Sequence, residues 1–264
     1  MIGPRLGAGR EAEVFAWGDE AVLKLYRHGF HGHEAESLAL RSLDGRGAAP
    51  RLIDVLDRNE RRGLVLERLH GSDMLAVLRH RPWRLRDLAR RLAIAHLRIH
   101  DVEAPESLPD LREVLTTRIH RAPLPTQLRD FALRELETLP ADDRLVHGDY
   151  HPGNVLIGDS RVGVIDWVGA ARGAPTADLA RTMLLLKWAD PSPEPPTLAR
   201  AMMATGRSAF ARTYLRSYRR ESSRGIQSLG SWLNVNMAAR LSEGIESEQP
   251  KLISLLERAR LTAA

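Results

Sequence analysis

Cysteine is absent from the 264 residues, and with it go disulfides, thiolate nucleophiles and cysteine-bound zinc or iron–sulfur centres. No apolar run approaches the length of a membrane span, and residues 1–5 open no signal-peptide stretch, so a cytoplasmic protein without a membrane partner is the expectation. Lysine is nearly absent too. Of the 39 basic residues only Lys24, Lys187 and Lys251 are lysines. The arginines are spread along the chain and form no basic tail, so a net charge of +5 and a pI near 10.0 read as compositional bias, and no nucleic-acid partner is expected. In a chain that otherwise writes arginine, a lysine inside a motif marks a need that arginine does not meet. With 43% hydrophobic and 28% charged residues, the chain has the composition and length for one large globular domain or two small ones.

The most informative stretch is residues 145–167, LVHGDYHPGNVLIGDSRVGVIDW. Val155-Leu156-Ile157 and Val162-Gly163-Val164-Ile165 flank a Gly-Asp-Ser turn and read as a β-hairpin, while Leu145-Val146 leads into a tight polar loop. Loop and hairpin end can then bring Asp149, Asn154 and Asp166 to one point. There one carboxylate can orient a hydroxyl nucleophile, while an amide oxygen and a second carboxylate hold Mg²⁺, a hard cation that prefers oxygen ligands. Singly, an Asp or Asn in a turn closes it through backbone hydrogen bonds. In this order and spacing the three are the equipment of phosphoryl transfer, where positioning and charge neutralisation supply most of the catalysis. His147 reads as a buried hydrogen-bonding strut beside the loop.

His147-Gly148-Asp149-Tyr150-His151-Pro152-Gly153-Asn154, followed by Val164-Ile165-Asp166-Trp167, resembles the catalytic and metal-binding loops of the aminoglycoside phosphotransferase-like family of small-molecule kinases. The five-residue step from Asp149 to Asn154 also matches the kinase pattern H-R-D-L-x-x-x-N. The resemblance implies an α+β, bilobal protein-kinase-like fold: a small antiparallel-sheet N-lobe with one helix, and a larger, mostly helical C-lobe. It implies a base at Asp149, Mg²⁺ ligands at Asn154 and Asp166, and ATP as donor, with GTP left open, for transfer to a hydroxyl of a small molecule such as an antibiotic, sugar or amino alcohol. Gly148 stands where protein kinases carry Arg, His151 where Ser/Thr kinases carry Lys, Asp166-Trp167-Val168 replaces D-F-G, and no A-P-E follows. These departures favour a small-molecule acceptor over a protein. A silent nucleotide-binding regulator is the rival reading, opposed by the intact base, metal ligands and lysine.

Residues 5–15, RLGAGREAEVF, place Gly7, Gly9 and Val14 on the pattern G-x-G-x-x-G-x-V, with Ala12 in place of the third glycine. Alone this is only a hairpin. The next strand, residues 21–26, buries Lys24 in an apolar run, which is costly unless the charge is paired. The resemblance implies that Lys24 grips the α- and β-phosphates beneath the glycine turn, with Val14 over the base. An acidic partner is expected from the helix beginning near residue 33. Glu36 lies on the stripe of Leu40 and Leu43, whereas Glu34 is offset, so Glu36 is chosen. Residues 51–57 and 64–68, joined by a charged turn over 58–63, complete a sheet of about five strands. By the same resemblance residues 67–71 are the hinge. The Glu67 carbonyl and Leu69 amide would meet the purine edge, and Leu66 would stand behind it.

The expected division is a nucleotide-binding lobe over residues 1–70 and a helical lobe over 71–264, with the catalytic loop at 145–168 and acceptor-binding helices at 176–264. Apolar positions from Leu85 to Val102 recur at helical steps and predict the central helix of that lobe, in which His96 and His100 read as structural. Helices are also expected over 111–119 and 127–139. Residues 169–175 read as a loop, and a helix follows in which Asp178 suits the N-terminus and, by the resemblance, braces the catalytic loop. A proline-rich break at 191–196 precedes three helices, over 198–220, 226–244 and 251–261. An acceptor pocket for a polycation should be acidic. This region instead carries seven arginines between Arg200 and Arg224, with acids gathered at Glu243, Glu246 and Glu248, so aminoglycoside phosphorylation does not follow from the family resemblance. Trp188, Trp232, Tyr214 and Tyr218 could stack on a sugar or a quaternary amine, though such aromatics are more often core. Oligomeric state leaves no trace in the sequence.

Overall fold

The computed structural model describes residues 2–58, 60–158, 161–189 and 197–263, the last segment with side chains from residue 205. Strands β1 (Arg5–Ala8), β2 (Ala12–Ala16), β3 (Ala21–Tyr26), β4 (Leu52–Arg58) and β5 (Arg61–Glu67) form one antiparallel sheet in the order β1-β2-β3-β5-β4. Helix α1 (His33–Ser42) lies between β3 and β4 in the chain. Alternation along β3 divides its side chains. Ala21, Leu23 and Leu25 pack with Val65 on one face, while Lys24 and Tyr26 project toward α1 on the other. The turn after β4 is tighter than the run of charged residues suggests. Asp57 pairs Arg62 and Arg58 pairs Arg61 across the ladder, so charge here marks an exposed strand end, and Glu60 closes the turn at a φ of +59°.

The second lobe, expected to be helical from residue 71, begins with a two-residue strand, β6 (Ser72–Asp73). Asp73 caps α2 (Met74–His80) by accepting the Ala76 N–H at 2.8 Å. Then follow α3 (Leu85–His100), α4 (Leu111–Arg121), α5 (Thr126–Thr138), β7 (Arg144–Val146), β8 (Val155–Ile157), β9 (Val162–Val164), β10 (Ala171–Gly173), α6 (Pro175–Trp188), α7 (Thr197–Glu221), α8 (Leu229–Arg240) and α9 (Gln249–Ala263). The hairpin β8–β9 forms as its alternating valines require, though its turn falls partly outside the described residues. Residues 169–175 are not wholly loop: β10 pairs antiparallel with β7, a strand pair of three residues each, too short to show in composition. The break at 191–196 lies outside the described residues. No helix among the described residues is long and apolar enough to cross a membrane.

The centre of this lobe belongs to α6 more than to α3. In α3 one face is buried and Arg86, Arg90 and Arg91 face solvent, whereas residues 177–186 of α6 are all buried, between α7 and α8. One apolar cluster runs from Tyr26, Leu40 and Leu64 in the first lobe through Met74, Leu88 and Leu92 to Tyr150, Trp167, Leu179 and Tyr214 in the second. A second cluster joins α4, α5, α6, α8 and α9.

Candidate active site

The sheet delivers one group of site residues as a row. Gly7 pairs Val14, Val14 pairs Lys24, and Lys24 pairs Leu64 across three ladders. The Lys24 ammonium donates to Glu36 Oε2 at 2.7 Å and to Asp166 Oδ1 at 2.8 Å. Glu36 is nearly inaccessible; it also accepts from the Tyr26 hydroxyl and, through Oε1, from the Trp167 N–H at 3.3 Å. Glu34 is 77% exposed at its side chain, so Glu36 is the partner. Burial works to lower the Lys24 pKa, and the two carboxylates more than reverse it, so the net shift is upward. Lys24→Met leaves the buried Glu36 charge without its ammonium. The expected loss is about 3 kcal/mol of stability, together with nucleotide-dependent stabilisation. Urea unfolding with and without a non-hydrolysable ATP analogue measures both, and an unchanged pair of midpoints would refute the role.

Asp166 sits after β9 with φ at +68°, a left-handed conformation that a non-glycine residue takes at a cost of about 1–3 kcal/mol and that gathers at functional sites. Its neighbour Trp167 is fully buried, donates Nε1–H to the Val164 carbonyl at 3.0 Å and packs on His147. The loop bearing Asp149 and Asn154 is tied to this strand end twice. Ile165 N donates to Asn154 O at 2.9 Å, and His147 Nε2 faces the Ile165 carbonyl at 3.1 Å. Asn154 Nδ2 donates to the Asp149 carbonyl at 2.9 Å, which fixes the amide and leaves its Oδ1 as a free acceptor. With one Asp166 oxygen on Lys24 and the other available, the donor set of Asn154 and Asp166 is all oxygen and fits Mg²⁺.

Asp178 organises the loop from beneath. Its Oδ2 accepts the His147 N–H at 2.7 Å and its Oδ1 the Gly148 N–H at 3.0 Å. The same Oδ2 receives His96 Nε2 at 3.0 Å and His100 Nε2 at 3.3 Å, and their Nδ1 atoms meet the hydroxyls of Tyr214 and Tyr218 at 2.6 Å each. His96 and His100 are thus structural, and Tyr214 and Tyr218 are core. Burial and the adjacent His100 push His96 down to about 3, so it is neutral and donates Nε2–H to the carboxylate. Burial alone would raise Asp178; the hydrogen bonds from His100 and His96 hold it well below the usual range. Gly148 takes φ at +77°, and a Cβ there would lie 2.2 Å from the Gly169 carbonyl oxygen. This explains glycine where protein kinases carry arginine. Gly148→Ala is expected to cost about 3 kcal/mol, or roughly 6–12 °C of melting temperature, which differential scanning fluorimetry reads directly.

Asp149 opens a chain of alternating charges that sequence reading did not foresee. Its Oδ1 faces Arg181 at 3.3 Å, and Arg181 meets Glu243 at 2.6 Å. Glu243 pairs with Arg240, which also holds Glu248 at 2.8 Å. His151 Nε2 lies 3.6 Å from the other Asp149 oxygen. Burial would raise the Asp149 carboxyl, but the His151 ring and the Arg181 guanidinium hold it well below the usual range. The remaining candidates stand apart from these contacts. Gly7 and Gly9 have no protein atom within 3.5 Å of a notional Cβ, Leu66 is buried in β5, and the Glu67 side chain binds Arg161 at 2.6 Å. Leu69 packs against Gly163, where a Cβ would meet its Cδ1 at 2.4 Å.

A model of the phosphotransferase enzyme family, APH, matches residues 3–221. The chain belongs to this family. By overall structure the phosphotransferase is similar to an apo, thermostable mutant of the aminoglycoside phosphotransferase APH(4)-Ia, at 17% identity and a TM-score of 0.68 over 100% of this chain and 96% of that one. It is similar to the amicoumacin kinase hAmiN at 16% identity, with a TM-score of 0.66 over 95% and 86% of the two chains. A choline/ethanolamine kinase family protein from Mesorhizobium loti matches at 16% identity and 0.63 over 99% and 87%. At such identities the likeness establishes the protein-kinase-like fold. No curated protein matches the phosphotransferase by sequence.

Proposed function

We propose that this small-molecule phosphotransferase moves the γ-phosphate of ATP to a hydroxyl group, with Asp149 as the base. The observation that carries the reading is Lys24, held by Glu36 and Asp166 at 2.7 and 2.8 Å on the strand facing the loop that bears Asp149 and Asn154. Residues 1–70 form the nucleotide-binding lobe in this reading. The Gly7–Gly9 turn covers the phosphates, Lys24 binds them, Val14 and Leu66 enclose the base, and the Glu67 carbonyl and Leu69 N–H form the hinge. Asn154 and Asp166 would hold Mg²⁺, which would neutralise phosphate charge when bound. Residues 71–264 form the second lobe, with the acceptor bound against helices within 176–264. Two similar kinases, the APH(4)-Ia mutant in complex with AMP-PNP and hygromycin B and the amicoumacin kinase hAmiN in complex with AMP-PNP, Ca²⁺ and Ami, support an ATP-type donor and a small acceptor.

The chemistry asks little of Asp149 beyond placement. The acceptor oxygen bonds to the γ-phosphorus, the bond to the β–γ bridging oxygen breaks, ADP leaves, and the acceptor proton passes to the Asp149 carboxylate. A carboxylate held low in pKa is a weak base in the ground state, so it aims the hydroxyl and takes the proton late, as a loose transition state requires. The test is ADP release with Mg²⁺-ATP and Mg²⁺-GTP across antibiotics, sugars, amino alcohols and hydroxy acids. Acceptor-dependent ADP release that is lost in Asp166→Ala supports the reading. Nucleotide binding without ADP release from any compound in the panel would overturn it in favour of a silent regulator.

A further inference from the structure

A cavity of about 240 Å³ opens in the second lobe where three helix ends meet, and none of Lys24, Asp149, Asn154 and Asp166 lines it. Helix α3 contributes its last residue His100 and the following Asp101, α7 contributes Tyr218 and Glu221 from its last turn, and α6 contributes Pro175 and Thr176 from its first. The two C-terminal ends present carbonyl groups and partial negative charge, and the N-terminal end presents N–H groups and partial positive charge. That N-terminus is uncapped: Ala174, its N-cap residue, has no side-chain acceptor to give. The cavity wall also carries an unanswered donor. Trp232 of α8 is 1% exposed and lines the cavity, and its buried indole Nε1–H has no acceptor among the described residues. Buried indole N–H groups ordinarily find one. The charges of the wall are of both signs. Asp142 is paired with Arg144 at 3.8 Å, and Glu221 with Arg220 at 2.7 Å. Asp101 and Arg224 are left over: among the described residues neither side chain makes an ion pair or a hydrogen bond, with the other or with any third group.

A ligand that answers these features carries both signs on one small frame. Its carboxylate would accept from the Trp232 N–H, the Arg224 guanidinium and the open end of α6, while its ammonium would face Asp101 and the carbonyl ends of α3 and α7. The space falls below the roughly 300–1,000 Å³ of drug-sized sites, which suits a compact molecule. We propose that the cavity binds a free α-amino acid and that its occupancy steadies the loop bearing Asp149. The link runs through His100. Its ring lines the cavity and its Nε2 faces Asp178 Oδ2 at 3.3 Å, the oxygen that accepts the His147 N–H at 2.7 Å, while Oδ1 holds the Gly148 N–H at 3.0 Å. Tyr218, also in the wall, meets His100 Nδ1 at 2.6 Å. A ligand there excludes water from these contacts and ties α3, α6 and α7 together, which opposes the local opening that lets the two amides exchange. The inference stands on the cavity and holds whatever hydroxyl the phosphotransferase takes as acceptor.

The test is calorimetric titration of the full chain with each standard amino acid, alongside acetate, propionate, ethylamine and inorganic phosphate. At least one amino acid is expected to bind with a Kd of about 1 mM or tighter, and the simple acids, the amine and phosphate roughly tenfold more weakly or worse. Trp232→Phe, which removes the N–H and keeps an aromatic ring, should weaken that amino acid roughly tenfold. Arg224→Ala should do the same, and because Arg224 is exposed its removal leaves folding intact. Amide exchange followed by NMR should slow roughly fivefold or more at His147 and Gly148 when the amino acid is added, and much less in Arg224→Ala at the same concentration. Binding by no amino acid overturns the proposal, as does equal or tighter binding of phosphate or a simple acid. An affinity unchanged in both variants places the ligand elsewhere and overturns it too. Exchange unchanged at saturation overturns the link to the loop. None of these readouts uses ADP release, so their failure leaves the phosphotransferase reading standing.

Discussion

Replacing Asp149 with asparagine is expected to lower kcat by roughly two to four orders of magnitude and to leave nucleotide affinity unchanged. The reason lies in what the side chain touches. Its oxygens face Arg181 and His151, while Asn154 Nδ2 holds its backbone carbonyl at 2.9 Å, so the loop keeps its shape when the carboxylate becomes an amide. The lost function is a proton acceptor and a negative charge aimed at the hydroxyl. Steady-state ADP release with a working acceptor gives kcat, and titration with AMP-PNP followed by fluorimetry gives affinity. Retention of wild-type turnover would remove Asp149 from the reaction altogether. The low pKa carries a second consequence: Asp149 stays ionised through the neutral and mildly acidic range, so an acid limb of the rate in that range must be sought in another group.

Asp178→Ala is expected to be the most damaging change to stability. It strands four donors in a buried setting: the backbone N–H groups of His147 and Gly148, and Nε2 of His96 and His100. The cost is on the order of 4 kcal/mol, or roughly 8–16 °C in a chain of this size. Asp178→Asn, which keeps an acceptor oxygen, should fall between. The sign of the pH dependence follows from the depressed carboxyl. Its contribution is present above the unfolded pKa of about 4 and is lost as pH falls from there toward the lower folded value. Acid titration of stability should therefore be shallower in Asp178→Ala than in the wild type. A melting temperature within about 2 °C of wild type would show that the cluster does not support the loop.

Much of this site is legible in the chain because its chemistry is local. Asp149, Asn154 and Asp166 fall within one strand–turn–strand unit, and Lys24 stands out as a charge in an apolar strand of a chain that avoids lysine. Glu36 is readable from the helical stripe it shares with Leu40. What escapes is what only tertiary packing assembles. Arg181 comes from α6 and Glu243 from the turn after α8; among so many arginines Arg181 carries no local signature, and nothing in the acidic run around Glu243 says that it pairs with that arginine. His96, His100 and Asp178 each have the structural role their positions suggest, yet nothing in a separation of 78 residues says that they serve one another. The β7–β10 pair is hidden for the same reason, its three residues being too few for a pattern.

The apolar cluster that passes unbroken from Tyr26 and Leu64 to Tyr150 and Tyr214 bears on how the molecule moves and melts. Two bodies with separate interiors can swing apart and denature in separate steps; two that share an interior are coupled. Calorimetry should accordingly record one endotherm, with calorimetric and van't Hoff enthalpies in agreement. In the proposed reading, access for a nucleotide then falls to the outermost ribbon, since all four residues of β1 lie exposed and Gly7 meets no neighbour. Amide exchange should be fast along that edge and slow at Leu64 and Leu66, making the doorway a flap at the rim of an otherwise rigid frame.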